Sequence, residues 1–594
     1  MKTDPTYLGS VQRVVGARVT VEISAVLPSS SPIINGRVHR VGQIGSLVRV
    51  PLGFVDIFGI VSMVGAAPVD EEVEELLSIK GKKTLEIQLM GEVVGTGPFQ
   101  RGLTAYPTLD DEVHVVTDND LRRIYSPTGF APIEIGKHST SQGLPITIDL
   151  DKLVTRHAAI VGSTGSGKSN SVAALLKSLT AGAYPSAQVV VIDPHGEYSQ
   201  ALQGVSKVFR IGDQETPLVV PYWALSFDEL AWFLVDRKSA SETPQDSAFR
   251  DRIHEVRRES LPVVNAGRPE LEIFEQEVTA DSPLPFSIRE LWYYFDRKER
   301  VTYNDTTRTT EAIEEEGDAQ SLRPARFRPA SLGSAAPFKP QPPPIMMSYV
   351  SRMANRLRDR RFDFILNPAP YDGTTRDLEH LVTDWLDHPK AITVLDLGGV
   401  PAEVTDLVVG VVTRILFEVM SWGRDLKGIG RQRPLLIVFE EAHQYLPSGD
   451  NRFIQGYARR AVQRIFKEGR KYGVGGIVVS QRPSDLDETI LSQCGTFISL
   501  RLTNSTDQGR IRTTVPDEVS GLIDLLPTLR TGEALVSGEA IQIPSRTLVD
   551  LVDPRPKSDD PSISETWAQP RTDATDYAAA IASWRKQSPT NGEG

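Results

Sequence analysis

"RHAAIVGSTGSGKSNSVAALLKSLTAG", residues 156–182, passes from an apolar run through a glycine-rich loop into a stretch of helical spacing. Within it, Gly162–Ser169 satisfies G-x-x-x-x-G-K-[ST]. Gly162, Gly165 and Gly167 let the backbone turn tightly, so that successive N–H groups and the start of the helix point at phosphate oxygens. Lys168 then reaches the β and γ phosphates of ATP, and the Ser169 hydroxyl ligates Mg²⁺. Ser163, Thr164, Ser166 and Asn170 complete the candidate phosphate loop. A strand, this loop and a helix in that order form one unit of a parallel α/β sheet.

The remaining strands of that sheet are read from apolar runs: "AQVVVIDPHG" (187–196), "AITVLDLGG" (391–399), "PLLIVFEEAH" (434–443), "GVGGIVVSQRP" (473–483) and "GTFISLRL" (495–502). Their near-continuous apolar character suits strands covered on both faces. Between the second and third strands lies an insertion of roughly 190 residues, far longer than a βα loop requires. Its flanks, "SFDELAWFLV" and "IMMSYVSRMANRLRDRRFDFIL", have helical spacing. Its middle, 304–344, is rich in Pro, Ser, Ala and charge and reads as a mobile linker. Ahead of the sheet, short alternating runs such as "GARVTVEIS", "GSLVRVPL" and "KTLEIQLMGEVVG" predict a small antiparallel barrel. The expected division is therefore a barrel at 1–135, an α/β core at 136–222 and 385–552, a helical insertion at 223–384 and a flexible tail at 553–594.

The phosphate loop explains an electrostatic oddity elsewhere. "LLIVFEEAHQYLP", residues 435–447, runs from five apolar residues into two adjacent carboxylates, and a buried carboxylate is costly without a cation. Glu440 takes the position that holds the Mg²⁺ shell beside a phosphate loop, and Glu441 is the candidate general base for the attacking water. "IVVSQRPSDL" places Gln481 directly after a buried strand, where it either senses the γ-phosphate or caps the strand end. Asp193, in "VVVIDPHGEY", ends its strand likewise, at the edge where ligands bind in open α/β sheets, although Asp-Pro-His-Gly also suits a plain turn. From Arg452 to Lys471 the chain carries seven basic residues against one acid, Glu468. That stripe reads as a solvated helix face, as DNA phosphate contacts, or as arginines aimed at a neighbour's nucleotide. A second basic cluster, Arg352 to Arg361, has no tie to the site.

Composition bounds the rest. At 594 residues, with 40% hydrophobic and 24% charged residues, the chain is an ordinary globular protein too long for a single core. Apolar runs of about five residues are far short of the ~18 that span a bilayer, so a cytoplasmic protein with no membrane contact is expected. The lone Cys494 excludes an internal disulfide framework and reads as a small apolar filler. A net charge of −12 argues against a uniformly basic nucleic-acid coat but says nothing of a local stripe.

Taken together, the barrel, "GSTGSGKSNS", "VIDPHGEY", "LLIVFEEAHQYLP", "EGRKYGVGGIVVSQRPSDL" and "TGEALVSG" resemble the HerA branch of the HerA/FtsK superfamily of hexameric P-loop motor ATPases. The resemblance implies a RecA-like P-loop core and an ATP-driven translocase or helicase on double-stranded DNA, working as a homohexameric ring. By matched position it implies that Lys168 and Ser169 bind phosphates and Mg²⁺, that Glu441 is the catalytic base and that Gln481 is the sensor. Arg470 in "EGRKYG" looks like an arginine finger acting across the subunit boundary, and Arg156 like a nucleotide contact within its own subunit. Asp193, Gln542 and Ile543 are placed near the nucleotide. A partner is also implied, docked on the barrel: a NurA-like nuclease in DNA end processing, or a defence effector such as a nuclease or a sirtuin-like NAD-consuming enzyme. The competing reading is an ATP-binding ring scaffold that regulates such an effector, with translocation secondary or absent.

Overall fold

The computed structural model describes residues 4–24, 33–34, 37–38, 42–66, 83–126, 132–139, 141, 143–181, 184–237, 241–266, 269–449, 455–557, 563–568, 570 and 577–586. Arg452 of the basic stripe and part of the predicted flexible tail fall outside them.

Six N-terminal strands close into a barrel. In spatial order they are Arg18–Ile23, Tyr7–Val15, Glu112–Val115, Leu47–Leu52, Val55–Ala66 and Lys83–Val94, and the last pairs back onto the first. Inward positions alternate as a pleated strand demands, so Val19, Val21, Val48, Val50, Leu85, Ile87 and Leu89 form one apolar cluster. At Gly59 a Cβ would lie 2.6 Å from Ile87 Cγ2, and the strand carries a bulge there; the glycine lets the two strands come together. A two-residue strand, Gln100–Arg101, attaches to Lys83–Val94 outside the closure.

The second sheet has eleven strands. Seven are parallel, in the order Thr496–Ser499, Ala158–Val161, Val474–Ser480, Leu435–Phe439, Val189–Asp193, Ile392–Asp396 and Ser206–Arg210. Four antiparallel strands, Glu533–Gly538, Ser545–Val549, Ile133–His138 and Pro145–Ile148, extend it beyond Thr496–Ser499. Leu435–Phe439 and Val474–Ser480 are buried at every residue, as expected of strands covered on both faces. The predicted barrel boundary needs adjustment: Ile133 to Ile135 belong to this sheet, after the linking helix Asp118–Ile124.

The insertion is helical at Phe227–Val235, Pro244–Glu259, Ile288–Arg300 and Met347–Arg358. Its middle is not the mobile linker expected from composition. Ile313–Glu315 pairs with Arg326–Phe327, and Ala312, Ala319, Leu322 and Ala325 are buried. Arg297 reaches out from its helix to Glu311 at 2.6 Å and Glu316 at 2.7 Å, while Tyr303 and Phe338 exchange backbone hydrogen bonds. Arg297 on the flanking helix, the internal strand pair and these buried side chains together hold the segment down. Among the described residues no helix is long and apolar enough to cross a membrane.

Candidate functional site

The phosphate loop sits where Ala158–Val161 ends and the helix Lys168–Thr180 begins. Gly165 (φ 70°) and Gly167 (φ 102°) have left-handed backbones that a side chain would strain, and a Cβ at Gly162 would lie 2.6 Å from Ser166 Oγ. Gly167 occupies the N-cap position without a side-chain cap, so the first N–H groups of the helix are left for a ligand. The loop is braced from outside: Ser163 N–H and Oγ donate to Arg501 O at 2.8 and 2.9 Å, and Gly532 N–H donates to Ser166 O at 2.9 Å. Ser166 Oγ is buried with no hydrogen-bond partner among the described residues.

Lys168 is the buried cation of this cradle, 8% exposed. Burial lowers its pKa, and the charges of Glu441, Glu440 and Glu197 oppose that. A buried ammonium at an uncapped helix start, above a glycine cradle, fits a polyphosphate. For Mg²⁺ the fit is conditional. No three His, Cys, Asp or Glu side chains among the described residues converge to hold a metal alone. Ser169 Oγ instead donates to Glu197 Oε2 at 2.8 Å, so a bound Mg²⁺ would take Ser169 together with phosphate oxygens and water.

The two adjacent carboxylates have unlike surroundings. Glu440 is 5% exposed and accepts a hydrogen bond from the Tyr198 hydroxyl, while Tyr445 Oη donates to its backbone carbonyl at 2.7 Å. Burial pushes the Glu440 carboxyl up to about 8, with Asp193, Glu441 and Glu197 adding to the rise. The phenol thus holds the carboxyl expected at the Mg²⁺ shell. Glu441, two residues beyond the strand, has a left-handed conformation, φ 44°, rare for a residue with a side chain. Burial raises its pKa, but His443 and Lys168 outweigh that, leaving it below the ordinary carboxylate value and ionised. Its Oε2 is buried without a hydrogen bond, 3.2 Å from His443 Nδ1 but out of alignment. An ionised carboxylate with a free acceptor beside a buried lysine is suited to take a proton from water.

Gln481 is brought to the loop as expected, its Oε1 accepting from Thr164 Oγ1 at 2.6 Å. Asp193 is brought close but used differently. Its carboxylate accepts the backbone N–H groups of His195 (3.2 Å), Gly196 (2.9 Å) and Tyr198 (3.1 Å), and burial pushes it up to about 6. It shapes the turn that delivers Glu197 to Ser169 and Tyr198 to Glu440. Those two residues, within the quoted "DPHGEY", were missed by reading only its aspartate. Asn170 turns away: its side chain bonds Asp550 O at 2.9 Å and Val552 N–H at 3.1 Å, clamping the chain that follows the sheet.

Four other expected site residues lie at the opposite end of the sheet. Arg156 precedes the first residue of Ala158–Val161, whereas the phosphate loop follows the last, so the four strand residues, about 13 Å at strand rise, lie between them. A contact to the nucleotide within its own subunit is thereby corrected. Arg470 lies in the last turn of the helix Tyr457–Tyr472, just before Val474–Ser480 begins at that same end. Both arginines line a cavity of about 430 Å³ together with Arg101, Lys467, Cys494 and Glu539. Gln542 and Ile543 follow Gly538, which pairs with Thr496 at this edge, and the Ile543 side chain is fully buried. The rest of the basic stripe is largely engaged: Arg464 pairs with Glu418, Arg459 donates to Gly449 O, and Arg460 donates to Gln455 O.

The family model for the helicase HerA central domain matches residues 133–416. The chain is 26% identical to the DNA double-strand break repair helicase HerA of Sulfolobus acidocaldarius over 463 residues, 78% of this chain and 77% of that protein. With the helicase of the same name from Pyrococcus furiosus it shares 26% identity over 508 residues, 80% of this chain and 79% of that protein. Among solved structures it is similar to VirB4 of Thermoanaerobacter pseudethanolicus, at 15% identity and a TM-score of 0.42 over 72% of this chain and 98% of that one. With its phosphate loop, its paired glutamates and a match to the helicase relatives that runs along most of its length, the chain is similar to the HerA helicases.

Proposed function

We propose that this protein is an ATP-driven motor on double-stranded DNA that assembles as a hexameric ring and hydrolyses ATP at sites shared between neighbouring copies. The observation that carries this reading is the separation, by the length of a strand, of Lys168 and Glu441 from Arg156 and Arg470. One chain holds the phosphate loop and the base at one edge, and the cations that would stabilise a phosphoryl transition state at the other. Two copies in contact complete the site.

In this reading the loop N–H groups and Lys168 hold the β and γ phosphates of ATP. Mg²⁺ when bound neutralises phosphate charge beside Ser169. Glu441 accepts the proton of the attacking water, and Gln481, tethered to Thr164, orients it. Arg470 of the next copy supplies positive charge as the γ-phosphoryl group transfers. The names of the relatives, DNA double-strand break repair helicases, support DNA as the track and repair as the setting, with antiphage defence as the other setting in view. The barrel, separate in its core from the sheet, is the surface offered to a nuclease or other effector.

The test is complementation by mixing. Glu441→Gln and Arg470→Ala proteins are each inactive alone, and mixed they recover ATPase activity because some interfaces pair an intact base with an intact arginine. Absence of recovery at every ratio overturns the shared site. Failure of double-stranded DNA to stimulate hydrolysis at low salt would favour the scaffold reading over the motor.

A further inference from the structure

The arginine-lined edge is not built by the α/β core alone. Arg101, from the small strand on the outside of the barrel, lines the same cavity as Arg156, Lys467 and Arg470. Its guanidinium donates from Nε to Gln542 O at 2.8 Å and from Nη2 to the carbonyls of Gly538 and Ile541. Three carbonyls of a single loop thus converge on one barrel side chain. That loop also carries Glu539, whose Oε2 lies 3.4 Å from Arg156 Nε and whose N–H donates to Gly495 O at 2.8 Å. The loop is clasped between Gly495 of the core and Arg101 of the barrel, and Arg156 hangs from its middle.

The barrel side of this clasp is tightly packed. At Gly91, the cross-strand partner of Arg101, a Cβ would meet Gln100 O at 2.3 Å and the Phe99 ring at 2.4 Å. The buried Glu92 accepts from Thr104 N–H at 2.8 Å and Thr104 Oγ1 at 2.7 Å, closing the turn after Arg101. Phe99 packs edge-on against Phe58, and both rings belong to the apolar cluster that continues into the α/β core. A displacement of the barrel therefore moves the guanidinium, and through it the loop and Arg156. Arginine suits this task because its fixed fork presents several donors to several carbonyls at once, whereas lysine offers one flexible point.

We propose that Arg101 is a positioning residue through which the barrel sets the geometry of the arginine edge that completes the neighbouring copy's nucleotide site. This rests on the shared-site reading above. Whatever docks on or strains the barrel then has a mechanical route to hydrolysis in the adjacent subunit.

The full-length Arg101→Gln and Arg101→Lys proteins test it, with assembly followed by light scattering and ATP turnover measured with double-stranded DNA. Arg101→Gln is expected to lower kcat by at least about tenfold, while KM for ATP stays within about twofold because the phosphate loop is untouched. Arg101→Lys recovers part of the loss. In the double variant with Arg156→Ala the loss is smaller than the product of the two single losses, since both act on one loop. A wild-type kcat in Arg101→Gln, with Arg470→Ala inactive, overturns the proposal and leaves the shared site standing. If Arg470→Ala is active as well, both fall together. A loss of turnover that merely follows loss of assembly makes Arg101 a strut of the ring and also overturns it.

Discussion

The two edges of the parallel sheet are chemical opposites. Where the strands end, Glu440, Glu441, Asp193 and Glu197 gather around a single buried lysine. Where they begin, Arg101, Arg156, Lys467 and Arg470 share a cavity with one acid, Glu539. Neither edge is balanced by itself. In the proposed reading the acidic edge binds the nucleotide and activates water, with Lys168 as its buried cation among the described residues. The basic edge has cations and no nucleotide loop. The proposed shared site gives this division a purpose, because a chain that kept both halves would hydrolyse ATP without assembling.

The most damaging way to break the pairing is to empty the basic edge. Arg470→Ala is expected to leave nucleotide binding and assembly intact while lowering turnover by about 10³ to 10⁵, the range for removal of an arginine finger. Retention of full turnover would sink the assignment. On the acidic edge, Glu441→Gln should cost about 10² to 10⁴ in kcat as the general base is lost, with ATP still bound and trapped in filter assays. Substantial hydrolysis in that variant would move the base elsewhere, with Glu197 the next carboxylate to change.

A smaller effect separates the two adjacent glutamates. Tyr198→Phe removes the hydroxyl donated to buried Glu440 and leaves the carboxyl without that donor, at a cost of about 1 to 3 kcal/mol. A lowered Tm in the nucleotide-free protein is the expected readout. No change in Tm would mean that Glu440 finds another donor and that the phenol does not hold it.

The difference between the edges also governs how much could be read in advance. The acidic edge was legible because its chemistry is local: glycines at fixed offsets around Lys168, and carboxylates directly following "LLIVF". Gln481 was found for the same reason. The basic edge was legible only as residues: "RHAAIVG" reads as a strand leading into the loop, and that same strand carries Arg156 away from it. Glu197 and Tyr198 escaped because their roles depend on the Asp193 turn, which shows only in three dimensions. The antiparallel strand Glu533–Gly538 and the edge strand Ser206–Arg210 are likewise weakly marked in the sequence, the second because only Phe209 of its five residues is fully buried. The segment 304–344 misled by composition: its order comes from backbone bonds within it, a few buried side chains and Arg297 of the flanking helix.

A last, pH-dependent effect lies at the beginning of the strand that bears the phosphate loop. His157, next to Arg156, is buried in a left-handed backbone at φ 56°, stacks on Phe466 and accepts the Gly476 N–H at its Nδ1 at 3.0 Å. Burial lowers its pKa to about 4, outweighing a hydrogen bond to the Phe466 backbone that raises it. The unfolded chain takes up a proton near pH 6.5 and the folded chain resists until about pH 4, so stability is complete above the higher value and declines as pH falls through this window. The loss attributable to this group is at most about 3 kcal/mol. Asparagine tolerates the left-handed backbone and retains an acceptor, so His157→Asn should remove the slope without an equal loss at neutral pH. Measured as Tm against pH, the wild-type advantage over the variant should shrink between pH 6.5 and 4. If the slope survives undiminished in the variant, it belongs instead to His138, which burial and Arg546 hold down to about 4 in the antiparallel part of the sheet.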